Sequence, residues 1–131
     1  MTADTKFLKI LDAGLDQASV PDGSTLVVAF SGGADSSALL VGLVELQIQR
    51  RLTLIAAHIN HQIRPESSDQ DQQAAKKIAV SLGVEFTSVT VDVPARAAAS
   101  KESIEAAARS ARYEALAEIM ADRKAFGVVT G

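Results

Sequence analysis

An α/β fold, with a mainly parallel sheet covered by helices on both faces, is the architecture this sequence predicts. Strand-like and helix-like segments alternate along the 131 residues, the pattern of strand–helix–strand units joined by right-handed crossovers. Two runs, "TLVVAF" (25–30) and "LTLIAAHI" (52–59), are near-continuously apolar, as in strands buried on both faces. A glycine-rich turn follows the first run, at the strand end where such sheets bind ligands.

Each element has its own signal. Phe7, Leu8, Ile10, Leu11 and Leu15 recur at helical spacing and predict a helix over about 5–17. "VPDGS" is a turn before the first strand. Leu39, Leu40, Leu43, Val44 and Leu46 predict a helix over about 36–49. After the second strand comes a polar loop, "NHQIRPESS", containing Pro65. A helix over about 68–81 follows, with Gly83 as its C-cap. "VEFTSVTV" (84–91) alternates in part and reads as a third strand, closed by Pro94. A long helix is expected over about 100–124, with Ile104, Ala108, Ala111, Ala115 and Ile119 as its apolar stripe. "FGVVTG" (126–131) begins a fourth strand.

Composition narrows the function classes. The chain is 47% hydrophobic and 22% charged, a globular balance. Its length suits one domain with one core. Its apolar runs are too short to span a bilayer, so no membrane partner is expected, and its start lacks the pattern of a secretory signal. It contains no cysteine, which removes disulfides and thiolate metal sites and fits a reducing, cytoplasmic setting. A net charge of −3 rules out a chain that is basic throughout, so any contact with nucleic acid must be local.

The segment "VVAFSGGADSSALLVGL" (27–43) carries the chemistry. Glycines between a strand and a helix let backbone N–H groups point inward, and the helix start adds unpaired N–H groups and a positive partial charge. With the serine hydroxyls they make an anion cradle suited to phosphate. The bland alternative is a tight turn with Asp35 or Ser36 as an ordinary N-cap. The Lys-Ser/Thr ending of a Walker A loop is absent, and so is GxGxxG. A carboxylate at Asp35 beside a polyphosphate calls for a cation between them, and magnesium is the usual one. The residues thus suggest Mg²⁺ with ATP, or with pyrophosphate.

"SGGADSS" resembles the Ser-Gly-Gly-x-Asp-Ser motif of the PP-loop, or N-type, ATP pyrophosphatases. "HINHQIRPESSDQD" (58–71) resembles the His-x-Asn-His-x-x-Arg segment of the tRNA(Ile)-lysidine synthases, and "SIEAAARSARYEAL" (103–116) resembles their Glu-Ala-Ala-Ala-Arg-x-x-Arg-Tyr helix. The resemblance runs in order through nearly the whole chain. It implies a Rossmann-like, adenine nucleotide alpha hydrolase-like three-layer sandwich, here truncated. Residues 1–131 would be the N-terminal part of the ATP-binding domain, with the rest of the catalytic domain and the tRNA-binding domains outside this chain and the fragment alone inactive. Together with the uniform apolarity of "VVAF", that fold predicts a central first strand, flanked by the second and fourth, with the third at the edge.

The resemblance also implies a ligase. ATP adenylates the C2 oxygen of the wobble cytidine in a tRNA(Ile) with a CAU anticodon, releasing pyrophosphate; free L-lysine then displaces AMP to give lysidine. Ser31, Gly32, Gly33, Asp35 and Ser36 would hold ATP phosphates and magnesium, with Asp35 the metal partner and Ala34 contributing backbone only. His58 and Ile59 would meet the adenine. Asp35, Arg109 and Arg112 would be the catalytic set, the two arginines sharing one face of the long helix. The bland reading of that pair is a surface bridge to Glu105 or Glu114.

Other readings stay open. His58 and His61 are conceivable as a metal pair but have no third ligand beside them. Arg64 touches RNA phosphate or is simply solvated, and Lys76–Lys77 reads as an exposed face. A tRNA 2-thiolation enzyme would share the loop but commonly carries Cys-x-x-Cys pairs. A non-catalytic nucleotide-binding module would bind ATP without releasing pyrophosphate. A homodimer is also left open.

Overall fold

The structure, a computed structural model, describes residues 3–130. Its elements run α1 (Thr5–Gln17), β1 (Thr25–Ala29), α2 (Ala34–Arg50), β2 (Thr53–Asn60), α3 (Pro65–Ser81), β3 (Glu85–Thr90), α4 (Val93–Ser100), α5 (Ile104–Arg123) and β4 (Gly127–Val129). The four strands form one sheet in the order β3-β2-β1-β4, and all three pairings are parallel. The central first strand, its neighbours and the edge position of the third strand are as expected. The last residue expected in the fourth strand, Gly131, lies outside the described residues.

The sheet is covered on both faces because β1 points alternate residues in opposite directions. Leu26, Val28 and Phe30 pack with Leu15 of α1, Leu40 and Leu43 of α2, and Ala75 and Ala79 of α3. Val27 and Ala29 pack the other way, against Leu116 and Ile119 of α5. Helices α4 and α5 join through Val93, Ala97, Ala107 and Ala111. Three layers result. No described helix is long and apolar enough to cross a membrane.

The structure corrects several expectations. The long helix is present as α5, Ile104–Arg123, but a separate helix, α4, which the sequence does not announce, precedes it. Pro94 does not end the strand region but sits in the first turn of α4, where its missing N–H costs nothing. The side chain of Asp92 caps that turn on Ala95 N. The chain breaks at Lys101, in the left-handed region at φ 58°, and Ser103 restarts it by capping Ala106 N. The buried stripe of α5 is Ala107, Ala111, Ala115, Leu116 and Ile119. Ile104 is exposed and Ala108 half-buried, because the first turn of α5 faces α4 rather than the sheet. Likewise α3 begins at Pro65 rather than Ser68, with the proline again in the first turn. Gly83 follows the α3 cap at φ +71°, the left-handed position that favours glycine.

Candidate functional site

Parallel sheets leave a crevice beyond their strand carboxyl ends, and here a cleft of about 380 Å³ lies beyond β1 and β2. Its floor is the end of β1 (Ala29, Phe30) and of β2 (Ala57 to His61). One wall comes from the start of α2 and from α3, the other from Ala108, Arg112 and Leu116 of α5.

The turn from β1 into α2 depends on Gly32. Its φ is +88°, and a Cβ there would lie 3.3 Å from the Cβ of Ala75 and 3.4 Å from its Cα. Glycine is required both for the backbone angle and for the close approach of α3. Gly33 is the N-cap of α2, so the helix starts at Ala34 and Asp35 sits within its first turn. Asp35 and Ser36 are therefore not the N-cap, and no side chain caps this helix.

The serines organise the turn. Ser36 Oγ lies 3.0 Å from Ser31 Oγ and accepts from the amide of Gly32 at 3.2 Å, while Ser31 Oγ accepts from the amide of Gly33 at 3.2 Å. Ser37 Oγ donates to Gly32 O, and Ser37 N donates to Gly33 O as the first helical bond. The amides of Ala34, Asp35 and Ser36 have no hydrogen-bond partner among the described residues. Three N–H groups at the positive end of a helix of 17 residues are thus left for an external acceptor. Ser31, Asp35 and Ser36 line the cleft.

His58, 5% exposed, closes the floor. Its Nδ1 lies 2.9 Å from Phe30 O, so Nδ1 carries the proton and donates. Its ring stacks on Phe86 at 6.2 Å. Nε2 has no partner among the described residues and is not sealed off, so it is free to meet a ligand in the cleft. Ile59 follows, half-buried at the same edge. His61 is occupied otherwise: its Nδ1 accepts from Ile63 N and lies 3.3 Å from Ser68 Oγ.

Among the described residues no group of three or more His, Cys, Asp or Glu is placed to hold a metal. The carboxylates at the cleft are Asp35 and Asp71. That donor set suits a cation that takes one or two carboxylates and completes its shell with phosphate oxygens and water, as Mg²⁺ does.

The two arginines separate. Arg112 lines the cleft, whereas Arg109 does not reach it. Neither makes an ion pair among the described residues; Glu114, the bland partner, is held instead by Arg96. Lys76 and Lys77 are exposed, as is Arg64.

Sequence reasoning assigned no role to Asn60, Ser68 or Asp71, all at the cleft. Asn60 is 2% exposed. Its Nδ2 donates to Asp69 at 2.9 Å and to Gln72 at 2.8 Å, and its Oδ1 accepts from Gln62 Nε2 at 2.7 Å. This ties the β2–α3 loop to α3. The available signal was a run of polar residues directly after an apolar strand, which on its own reads as solvated loop.

Comparison with known proteins agrees with this geometry. Residues 2–131 match the family model described as the PP-loop domain. The tRNA(Ile)-lysidine synthase of Persephonella marina is 34% identical over 124 residues, covering 94% of this chain and 27% of that protein. The enzyme of the same name from Bacillus licheniformis is 38% identical over 110 residues, 84% of this chain and 23% of its own length. That of Deinococcus deserti is 41% identical over 108 residues, 82% and 19% respectively. The chain thus spans about a quarter or less of the curated relatives it matches. Among solved structures, the U34-tRNA thiolase NcsA from Methanococcus maripaludis, with its [4Fe-4S] cluster, superposes with a TM-score of 0.75 at 18% identity, over 96% of this chain and 43% of that one; this likeness is one of fold. A match across the chain, a glycine–serine turn of this construction and a parallel sheet of this order lead to one assignment: the chain belongs to the PP-loop domain family.

Proposed function

We propose that this chain is the ATP-binding part of a tRNA(Ile)-lysidine synthase, acting in the cytoplasm on a tRNA(Ile) with a CAU anticodon and on free L-lysine. The observation that carries the nucleotide reading is the trio of unpartnered amides, Ala34, Asp35 and Ser36, at the start of α2, where Asp35 and Ser36 line the cleft together with Ser31. The curated relatives carry the choice of substrate.

In this reading the three amides bind phosphate oxygens of ATP, and the two serine hydroxyls turn from each other toward the same oxygens. His58 Nε2 and the backbone at Ile59 orient the adenine. The cytidine C2 oxygen attacks the α-phosphorus; an O–P bond forms, the bond to the β-phosphate bridge breaks, and pyrophosphate leaves. Arg112 stabilises the negative charge that grows on the transferring phosphoryl group. Phe30, Ala108 and Leu116 keep water from competing. An amine of lysine then bonds to C2, AMP leaves, and the amine loses a proton to solvent. Mg²⁺ held by Asp35, when bound, would neutralise the polyphosphate.

Calorimetric titration with ATP and magnesium tests the first half. Weak binding is expected, and no heat at millimolar ATP would overturn the nucleotide reading. Incubation with labelled lysine, ATP and the tRNA tests the second. The full-length enzyme is expected to label the tRNA and the isolated chain is not, since phosphate grip alone does not hold the base against the α-phosphate. A thiolase reading draws only on the shared fold, and the chain has no cysteine.

A further inference from the structure

Helix α5 presents a face that neither the core nor the cleft uses. Tyr113 is 65% exposed, although an aromatic ring ordinarily contributes most when it packs. Residues three and four apart share a helix face, so Arg109 neighbours both Arg112 and Tyr113. Arg112 stands in the row of Ala108 and Leu116, toward the cleft. Arg109 and Tyr113 form the next row round, on the solvent side of the cleft rim.

Both guanidiniums are exposed and make no ion pair among the described residues. The nearest carboxylate in sequence to Arg112, Glu114, is taken away from this face: Arg96 of α4 grips it with two hydrogen bonds, of 2.9 and 2.7 Å. Glu105, one turn before Arg109, bridges to neither arginine. What remains is one exposed ring beside two unneutralised planar cations. A protein-docking patch is built around contiguous apolar surface, which this face lacks. Single-stranded RNA is held by stacking bases on aromatic rings and arginine planes while cations track the phosphates.

We infer that this face of α5 docks single-stranded RNA, with Tyr113 stacking on a base next to the nucleotide that enters the cleft and Arg109 contacting the adjoining phosphate. The inference rests on the proposed reading that the substrate is a tRNA. A base drawn into the cleft leaves its neighbour unstacked, which costs a few kcal/mol. Tyr113, one residue from the cleft-lining Arg112, stands where it can replace the lost stack.

The test is fluorescence anisotropy of the chain with a labelled anticodon stem–loop RNA, beside calorimetric titration with ATP. Tyr113→Ala is expected to weaken RNA binding about tenfold or more and to leave ATP affinity unchanged. Tyr113→Phe, which keeps the ring, should retain RNA binding. Arg109→Ala should lower the salt dependence by about 0.7 in log–log slope, the value for one phosphate contact on a single strand. A chain that binds ATP but not the stem–loop overturns the inference and leaves the nucleotide reading standing. So does RNA binding indifferent to Tyr113→Ala, which would assign the face to another partner such as a protein segment. RNA binding that depends on Tyr113 without any ATP binding would support the surface and overturn the nucleotide reading.

Discussion

The hydroxyl of Ser31 lies 3.0 Å from that of Ser36, across the turn that joins β1 to α2. Each also accepts from a glycine amide of the same turn. The loop is therefore held in shape by its own side chains, with the helix amides left open beside them. Preorganised donors of this kind spend little reorganisation on binding an anion.

That shape depends on Gly32. Gly32→Ala places a Cβ against Ala75 and forces a left-handed φ on an alanine. The strain is about 1–3 kcal/mol, so the melting temperature should fall and ATP binding should weaken with it. Thermal denaturation with calorimetric titration of the same sample checks both. Gly33→Ala meets only Ser31 Oγ, at 3.4 Å, from an ordinary backbone conformation, and should be milder on both counts.

Asp35→Asn separates chemistry from structure. Asp35 is exposed and lies in the first turn of α2, so the loss in stability should be no more than the helix-dipole contribution of about 0.3–1 kcal/mol. In the full-length enzyme, pyrophosphate release in the presence of tRNA should fall about a hundredfold. A wild-type rate in the variant would show that the carboxylate serves only the helix.

Asn60→Ala should loosen the cleft from behind. It removes the donor to Asp69 and Gln72 and the acceptor of Gln62. The expected cost is about 0.5–1.5 kcal/mol, the net worth of such hydrogen bonds, because Asp69 is exposed and Gln62 and Gln72 half-buried and each can turn to water. Hydrogen exchange should rise at residues 61–64 before it rises in the sheet. Unchanged protection there would mean that the loop is held by its backbone alone.

The Arg96–Glu114 clasp between α4 and α5 predicts a pH dependence. The hydrogen bond from Arg96, and then its charge, hold the Glu114 carboxyl below its ordinary value of 4.5. A lowered folded-state value means that the unfolded chain binds the proton more readily. The clasp's contribution is thus present above about the ordinary glutamate value and is lost as pH falls through the lowered one. Denaturation of wild type and Glu114→Gln should differ near neutral pH and converge in acid. The gap should also shrink with added salt, since the pair is exposed.

Much of this was legible in the sequence because it is local. The unbroken apolar run before "SGGADSS" marks a two-face-buried strand, and only a strand end followed by glycines and a helix start makes a cradle of backbone amides. The alternation of elements fixed the fold class for the same reason: each period is set by near neighbours. The helices at Ala34 and Pro65 start earlier than the apolar spacing predicts, and the short helix from Val93 has no counterpart in that spacing. A glycine N-cap leaves no side-chain signal, and a proline reads as a breaker although the first helical turn tolerates it.

Tertiary structure decided the rest. Arg109 and Arg112 look equivalent in the sequence, but packing puts Arg112 in the lining of the cleft and leaves Arg109 outside it, at the rim. Asp71 reads as part of a solvated helix, and only the passage of α3 past Gly32 brings it to the site. Asn60 ends an apolar strand without explanation until Asp69, Gln72 and Gln62 converge on it. The sequence determined which segments could make a phosphate cradle, through backbone periodicity and glycine. Which side chains share its cleft depended on the crossing of helices far apart in the chain, and that is settled by packing of the two faces of the sheet.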